Sequence, residues 1–150
     1  MKRLQRIAFI GNHLPRRCGI ATFTHDLHRA VADARPDLDT SVVAMNNSGG
    51  TYAYPAPVRL QLRDDVVDDY TQAAKFLNRS GFDLVSLQHE YGIFGGLAGS
   101  HIVELLSRLE MPVVTHSGSA PREEYGDNLG IYVTEVTWWP ARPMWFLLWS

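Results

Sequence analysis

The chain has 150 residues, 45% of them hydrophobic, and a formal net charge of −2 at pH 7. That length fills one compact core and leaves little for a second domain. The absence of a basic block argues against electrostatically driven binding to nucleic acid or to a membrane surface.

Met1 to Arg6 carries basic residues, but the apolar run behind them, Ile7-Ala8-Phe9-Ile10, ends at Gly11. It is too short for a signal-peptide core or a membrane span and reads as a buried strand. A polar loop follows, Asn12-His13-Leu14-Pro15-Arg16-Arg17-Cys18-Gly19-Ile20, and opens into a helix over Ala21 to Ala34 with Phe23, Leu27, Ala30, Val31 and Ala34 on one face. Pro36 stops it. Strand, loop and helix start in that order form an anion-binding corner, because N–H groups of a first helical turn lack partners and lie at the positive end of the helix dipole.

Leu38 to Met45 reads as the second strand, and the turn-rich stretch from Asn46 to Pro57 leads to a third, Val58-Arg59-Leu60-Gln61-Leu62, which alternates as a half-buried strand does. A helix is predicted from Asp64 to Arg79. Asp64, Asp65, Asp68 and Asp69 crowd its start and read as compensation of the helix dipole, so no metal is assigned to them. Asp83 to Gln88 is a buried-type strand ending in Gln88-His89-Glu90. The glycine-rich loop Gly92-Ile93-Phe94-Gly95-Gly96-Leu97-Ala98-Gly99 then feeds a helix from about Ser100 to Leu109, and Met111 to Thr115 supplies another strand. These elements predict an α/β fold with an open, mainly parallel, Rossmann-like sheet and helices on both faces.

In such sheets ligands bind outside the carboxyl ends of the strands, so His89, Glu90 and the loop after Gly11 are expected on one edge. A neutral imidazole both donates and accepts hydrogen bonds and suits sugar hydroxyls, which singles out His89. His13, Arg16 and Arg17 either meet a phosphate or are solvated, and His25 and His28 read as surface residues of the first helix. Cys18 lies beside two arginines that favour a thiolate, yet no Cys-His-Asn pattern surrounds it, and it reads as a spectator. As the lone cysteine it excludes a disulfide framework and points to the cytoplasm.

The Gly19-Ile20-Ala21-Thr22-Phe23-Thr24 entry to the first helix, the run from Gln88 to Gly96 and the Met-Pro-Val-Val-Thr strand together resemble the N-terminal half of a family 4 glycosyltransferase, over about residues 5 to 115. The resemblance implies a retaining enzyme of the GT-B architecture that moves a sugar from a nucleotide-sugar donor to an acceptor hydroxyl. Its N-terminal domain mainly holds the acceptor, while a C-terminal domain, not seen in these residues, grips the donor. It implies that Gly19 and Ile20 lie near the donor phosphate or the transferred sugar. His89 lines the cleft as the catalytic residue, Glu90 orients a loop or an acceptor hydroxyl, and Gly95 and Gly96 belong to the substrate-binding loop. No cofactor and no catalytic metal are expected, and the partners are the small-molecule donor and acceptor. Lacking the donor domain, the chain is expected to turn over little or nothing.

The pattern breaks after Thr115. All four tryptophans fall in the last thirteen residues, within Trp138-Trp139-Pro140-Ala141-Arg142-Pro143-Met144-Trp145-Phe146-Leu147-Leu148-Trp149. One hypothesis is a frameshift or premature stop in a longer gene, leaving residues 116–150 a foreign, poorly ordered tail. The idea fails if the other frames of the downstream DNA encode no glycosyltransferase-like continuation. A rival is a membrane-contacting or partner-binding segment, although the run is too short to span. Two further readings of the whole chain stay open: a non-catalytic sugar- or acceptor-binding fragment, and a dinucleotide-binding domain. The second is weakened because Ile10-Gly11-Asn12-His13 lacks G-x-G-x-x-G spacing and the next strand ends Met45-Asn46-Asn47 without a ribose-binding acid.

Overall fold

A computed structural model describes residues 3–90, 92–117 and 133–137. The elements are β1 (Arg6–Gly11), α1 (Gly19–Ala34), β2 (Asp39–Asn46), β3 (Val58–Arg63), α2 (Val67–Arg79), β4 (Leu84–His89), α3 (His101–Leu106), β5 (Val113–Ser117) and β6 (Val133–Thr137), with a short 3₁₀ turn at Leu97–Gly99. They form one sheet in the order β3-β2-β1-β4-β5-β6. The first five strands are parallel and β6 is antiparallel to β5.

The apolar run of β1 is explained by burial on both faces. Ile7 and Phe9 pack with Val42, Leu27 and Val31 under α1, whereas Ala8 and Ile10 join the larger core with Val85, Leu87, Tyr70, Leu77 and Leu105 under α2 and α3. Helices therefore cover both faces, as read from the sequence. The amino edge is closed by charge: the Asp83 carboxylate accepts the N–H groups of Gln5 and Arg6 at 2.9 and 3.0 Å, and the Arg6 guanidinium reaches Asp39 and the Ser80 carbonyl.

Three helix boundaries differ from expectation by two or three residues. α1 begins at Gly19, two residues early. α2 begins at Val67, because Asp64 is spent on a turn in which its carbonyl accepts the Tyr70 hydroxyl at 2.9 Å and the His101 Nδ1–H at 3.1 Å. Only Asp68 and Asp69 occupy the first turn of α2, and Asp69 accepts the backbone N–H of Arg63 at 2.9 Å as well as its guanidinium. α3 stops at Leu106, where Asn78 of α2 takes over its end by donating to the Arg108 carbonyl at 2.8 Å and accepting the Glu110 N–H at 3.1 Å.

The boundary read at Thr115 falls inside β5, and β6 shows that part of the segment read as foreign to the fold is a strand of the sheet. The tryptophan cluster and the Pro121 to Glu124 stretch lie outside the described residues.

Candidate functional site

The order β3-β2-β1-β4-β5 places β1 beside β4, with Ile10 opposite Leu87. The chain runs outward from β1 to β3 and then returns to β4, so the connections leaving the carboxyl ends of β1 and β4 splay apart. That is the switch-point crevice of an open α/β sheet. One wall is the loop 12–18 with the amino end of α1. The other is His89, Glu90 and the loop that follows.

Gly11 ends β1 because α1 passes close over it. A Cβ there would lie 2.9 Å from Gln88 Cβ and 3.0 Å from Thr24 Oγ1, so this glycine serves packing. Gly19 differs, being exposed with nothing within 4 Å of a would-be Cβ. It is the first residue of a sixteen-residue helix, and the N–H groups of Gly19 and Ile20 have no acceptor among the described residues. Two donors at the positive helix end, unobstructed by a side chain, are the clearest anion- or hydroxyl-binding feature of the edge.

Cys18 is the residue before α1, in an extended conformation, and its side chain makes no capping bond. Its sulfur instead accepts from Asn12 Nδ2 at 3.6 Å, while the Asn12 amide oxygen accepts from Arg16 at 3.1 Å. Serine caps helices well where cysteine does not. Cys18→Ser is therefore expected to raise stability by up to about 1 kcal/mol, measured as the urea midpoint. A loss of stability would mean that the Asn12 contact outweighs the cap.

Strand alternation sends Gln88 and His89 to opposite faces. Gln88 is fully buried on the α1 side, where its Nε2 donates to Ser86 Oγ at 2.8 Å and its Oε1 has no partner among the described residues. His89 is half-buried and leans on Phe94 with ring centroids 5.6 Å apart. Glu90 is half-buried and makes no hydrogen bond or ion pair among the described residues, which leaves its carboxylate available at the mouth. His116, opposite Gln88 on β5, faces Phe23 at 6.4 Å, and burial lowers its pKa.

Gly95 packs against the β3–α2 turn. A Cβ on Gly95 would fall 1.9 Å from the Asp64 carbonyl oxygen, and its N–H donates to the Tyr70 hydroxyl at 3.2 Å. Gly96 holds φ +81° beside the His101 ring. Contact with the Asp64 backbone accounts for the glycine at 95, and the positive φ together with the crowding side chains of Ser100 and His101 accounts for the one at 96.

Of the three histidines left open or read as superficial, His13 and His28 are buried and His25 is half-buried. His13 is 1% exposed and His28 is 6% exposed. His28 accepts or donates at Thr40 Oγ1 (3.1 Å) and meets Phe9 edge-on, so it is a core residue under α1. His13 contacts His25 at 5.2 Å and Tyr54 at 6.4 Å, and Tyr54 in turn contacts Tyr52 at 5.7 Å, giving a row of four rings along the edge. The Tyr54 hydroxyl donates to Asn46 Oδ1 at 2.6 Å, and burial pushes its pKa up to about 12. Sequence reading missed this row because Tyr54 comes from the helix-free connection between β2 and β3. The one available signal was a polar pair, Asn12-His13, directly behind a fully buried strand.

Among the described residues no three histidine, cysteine or acidic side chains converge as a metal site, and no helix is long and apolar enough to cross a membrane. No protein-family model matches the chain, and no curated protein matches it. A solved structure, the solution structure of a phosphate-loop protein, is similar over 77% of this chain and 80% of its own, at 14% identity and a TM-score of 0.42. It assigns no role to any residue of this chain.

Proposed function

We propose that this chain is the acceptor-side α/β domain of a retaining glycosyltransferase, acting on a nucleotide-sugar donor and an acceptor hydroxyl. What supports the reading is that the two sequence stretches carrying the resemblance, Gly19-Ile20 and His89-Glu90, leave adjacent strands at the switch point. The free N–H groups of Gly19 and Ile20 offer donors to a phosphate or sugar oxygen, and a fixed dipole there stabilises developing charge on a leaving diphosphate. His89 supplies a ring that bonds sugar hydroxyls as donor or acceptor, and Glu90 accepts from an acceptor hydroxyl. Gly95 and Gly96 hold the second loop against the body of the domain. Donor recognition belongs, in this reading, to a second domain, and the chemistry calls for no metal.

Backbone NMR titration with a simple glycoside, a nucleotide-sugar and NAD tests the reading. The expected result is that the first two perturb the amides of residues 19–20 and 89–90, and that His89→Ala weakens glycoside binding about tenfold, the worth of one hydrogen bond. Tight NAD binding with no response to sugars would sink the proposal and favour a dinucleotide-binding domain.

A further inference from the structure

We propose that the contact between His13 and His25 is a proton-sensitive latch: with the His13 ring neutral it holds the first loop, residues 12–18, against α1, and proton uptake by His13 releases that loop. The argument is independent of the glycosyltransferase reading and starts from hydrogen-bond accounting. His13 Nδ1–H donates to the Leu14 carbonyl at 2.8 Å, which fixes the tautomer and leaves Nε2 as a bare lone pair. Nε2 is buried with no partner among the described residues, and so is Nδ1 of His25, whose ring meets His13 edge-on with centroids 5.2 Å apart. Neutral imidazoles tolerate this environment. An imidazolium does not, because its new N–H finds no acceptor and its charge is removed from water.

Among the described residues, the groups facing the pair offer no compensation. From α1 there are His25 itself and, one turn on, His28; from the β2–β3 connection there is Tyr54, a phenol kept neutral and bonded to Asn46; from the loop there are Arg16 and Cys18, both in contact with Asn12. None is a carboxylate, and Arg16 adds positive charge. Burial lowers the pKa of His13 below 6.5 despite the Leu14 bond, and the nearby His25 lowers it further. The closed loop therefore binds fewer protons than the open one in the window just below 6.5. Closure is complete above that pH and is lost as the pH falls through the window. The loop carries the chain into Gly19, so its release uncouples the amino end of α1 from the edge of the sheet.

Hydrogen exchange and imidazole NMR on the 150-residue chain between pH 7.5 and 5.0 test the latch. After correction for intrinsic rates, amides of residues 12–18 are expected to lose protection by up to about tenfold per pH unit below 6.5, while β1 and β4 keep theirs. In H25Q the His13 resonances are expected to titrate at higher pH than in the parent chain. Loop protection that tracks the sheet at every pH overturns the proposal, as does a His13 titration in the parent chain at the free-imidazole value. The exchange measurement needs no variant, so a misfolded H25Q leaves the test intact.

Discussion

Phe9→Ala is expected to cost about 3–5 kcal/mol, the range for emptying a buried aromatic site in a core. Phe9 is 2% exposed on the central strand and packs against Val42, Leu27 and Val31 in the smaller of the two apolar clusters. Among the described residues that cluster has three buried members, Ile7, Phe9 and Val42, so few of them are available to collapse into the void. The ring also supplies the edge-on partner of His28, whose imidazole is otherwise tied only to Thr40. With total stabilities of about 5–15 kcal/mol typical of such domains, a third or more of the folding free energy would be lost. Urea denaturation followed by far-ultraviolet circular dichroism measures it. The expected signature includes early loss of α1, whose hold on the β1 side of the sheet is this cluster. A cost under 1.5 kcal/mol would show that α1 is secured mainly by Ile20 and Ala21 at its other end.

Gly95→Ala is expected to destabilise by at least 1–3 kcal/mol, roughly the cost of overpacking a tight site, and to loosen the loop after β4. The reason is a backbone collision: the added Cβ lands 1.9 Å from the Asp64 carbonyl oxygen and 2.7 Å from the Asp64 carbonyl carbon and from His101 Nδ1. Asp64 cannot yield easily, because its carbonyl already accepts from Tyr70 and His101 and its N–H is bonded to the Asn46 carbonyl. Any shift of Gly95 also breaks its N–H bond to the Tyr70 hydroxyl, a fully buried side chain. Thermal denaturation gives the size of the effect, and exchange of the amides of residues 92–100 gives its location. A variant within 0.5 kcal/mol of the parent, a change typical of surface positions, would mean that the loop swings clear and that the turn at Asp64 is not its floor.

His13 and His28 add an acid sensitivity to the whole domain. Burial lowers the pKa of His28, and the neighbouring His13 and His25 lower it further. Both His13 and His28 thus sit below their unfolded value, so the unfolded chain takes up protons first as pH falls below 6.5. The thermal midpoint is expected to be flat above about pH 7 and to decline below 6.5. A midpoint that rises on acidification would contradict this assignment.

Much of the fold was legible because it rests on local periodicity. Ile7 to Ile10 could only be a strand buried on both faces, and the spacing of Phe23, Leu27 and Val31 could only be a helix face, since side-chain direction repeats every two residues in one and every 3.6 in the other. Given the strand order, the right hand of parallel crossovers then puts α1 on one face of the sheet and α2 on the other. Boundaries were less legible where a distant partner sets them. Nothing within the segment from Asp64 to Val67 announces that Tyr70 and His101 will claim the Asp64 carbonyl, or that Asn78 will end α3.

The sequence by itself determined the order and type of the elements from β1 to β5, the placing of the Gly19-Ile20 and His89-Glu90 stretches on one sheet edge, and the resemblance that gives that edge a proposed chemistry. Only the tertiary structure decided what each polar residue on the edge does. It made Gly11 and Gly95 packing glycines and left Gly19 open, and it drew His13 and His28 out of water. It also brought Tyr54 from the far side of β2 to cover His13. The physical reason is that periodicity encodes which face a residue occupies, whereas burial of a loop histidine or the space beside a glycine depends on chain segments many residues away. Those distances close only when the sheet does.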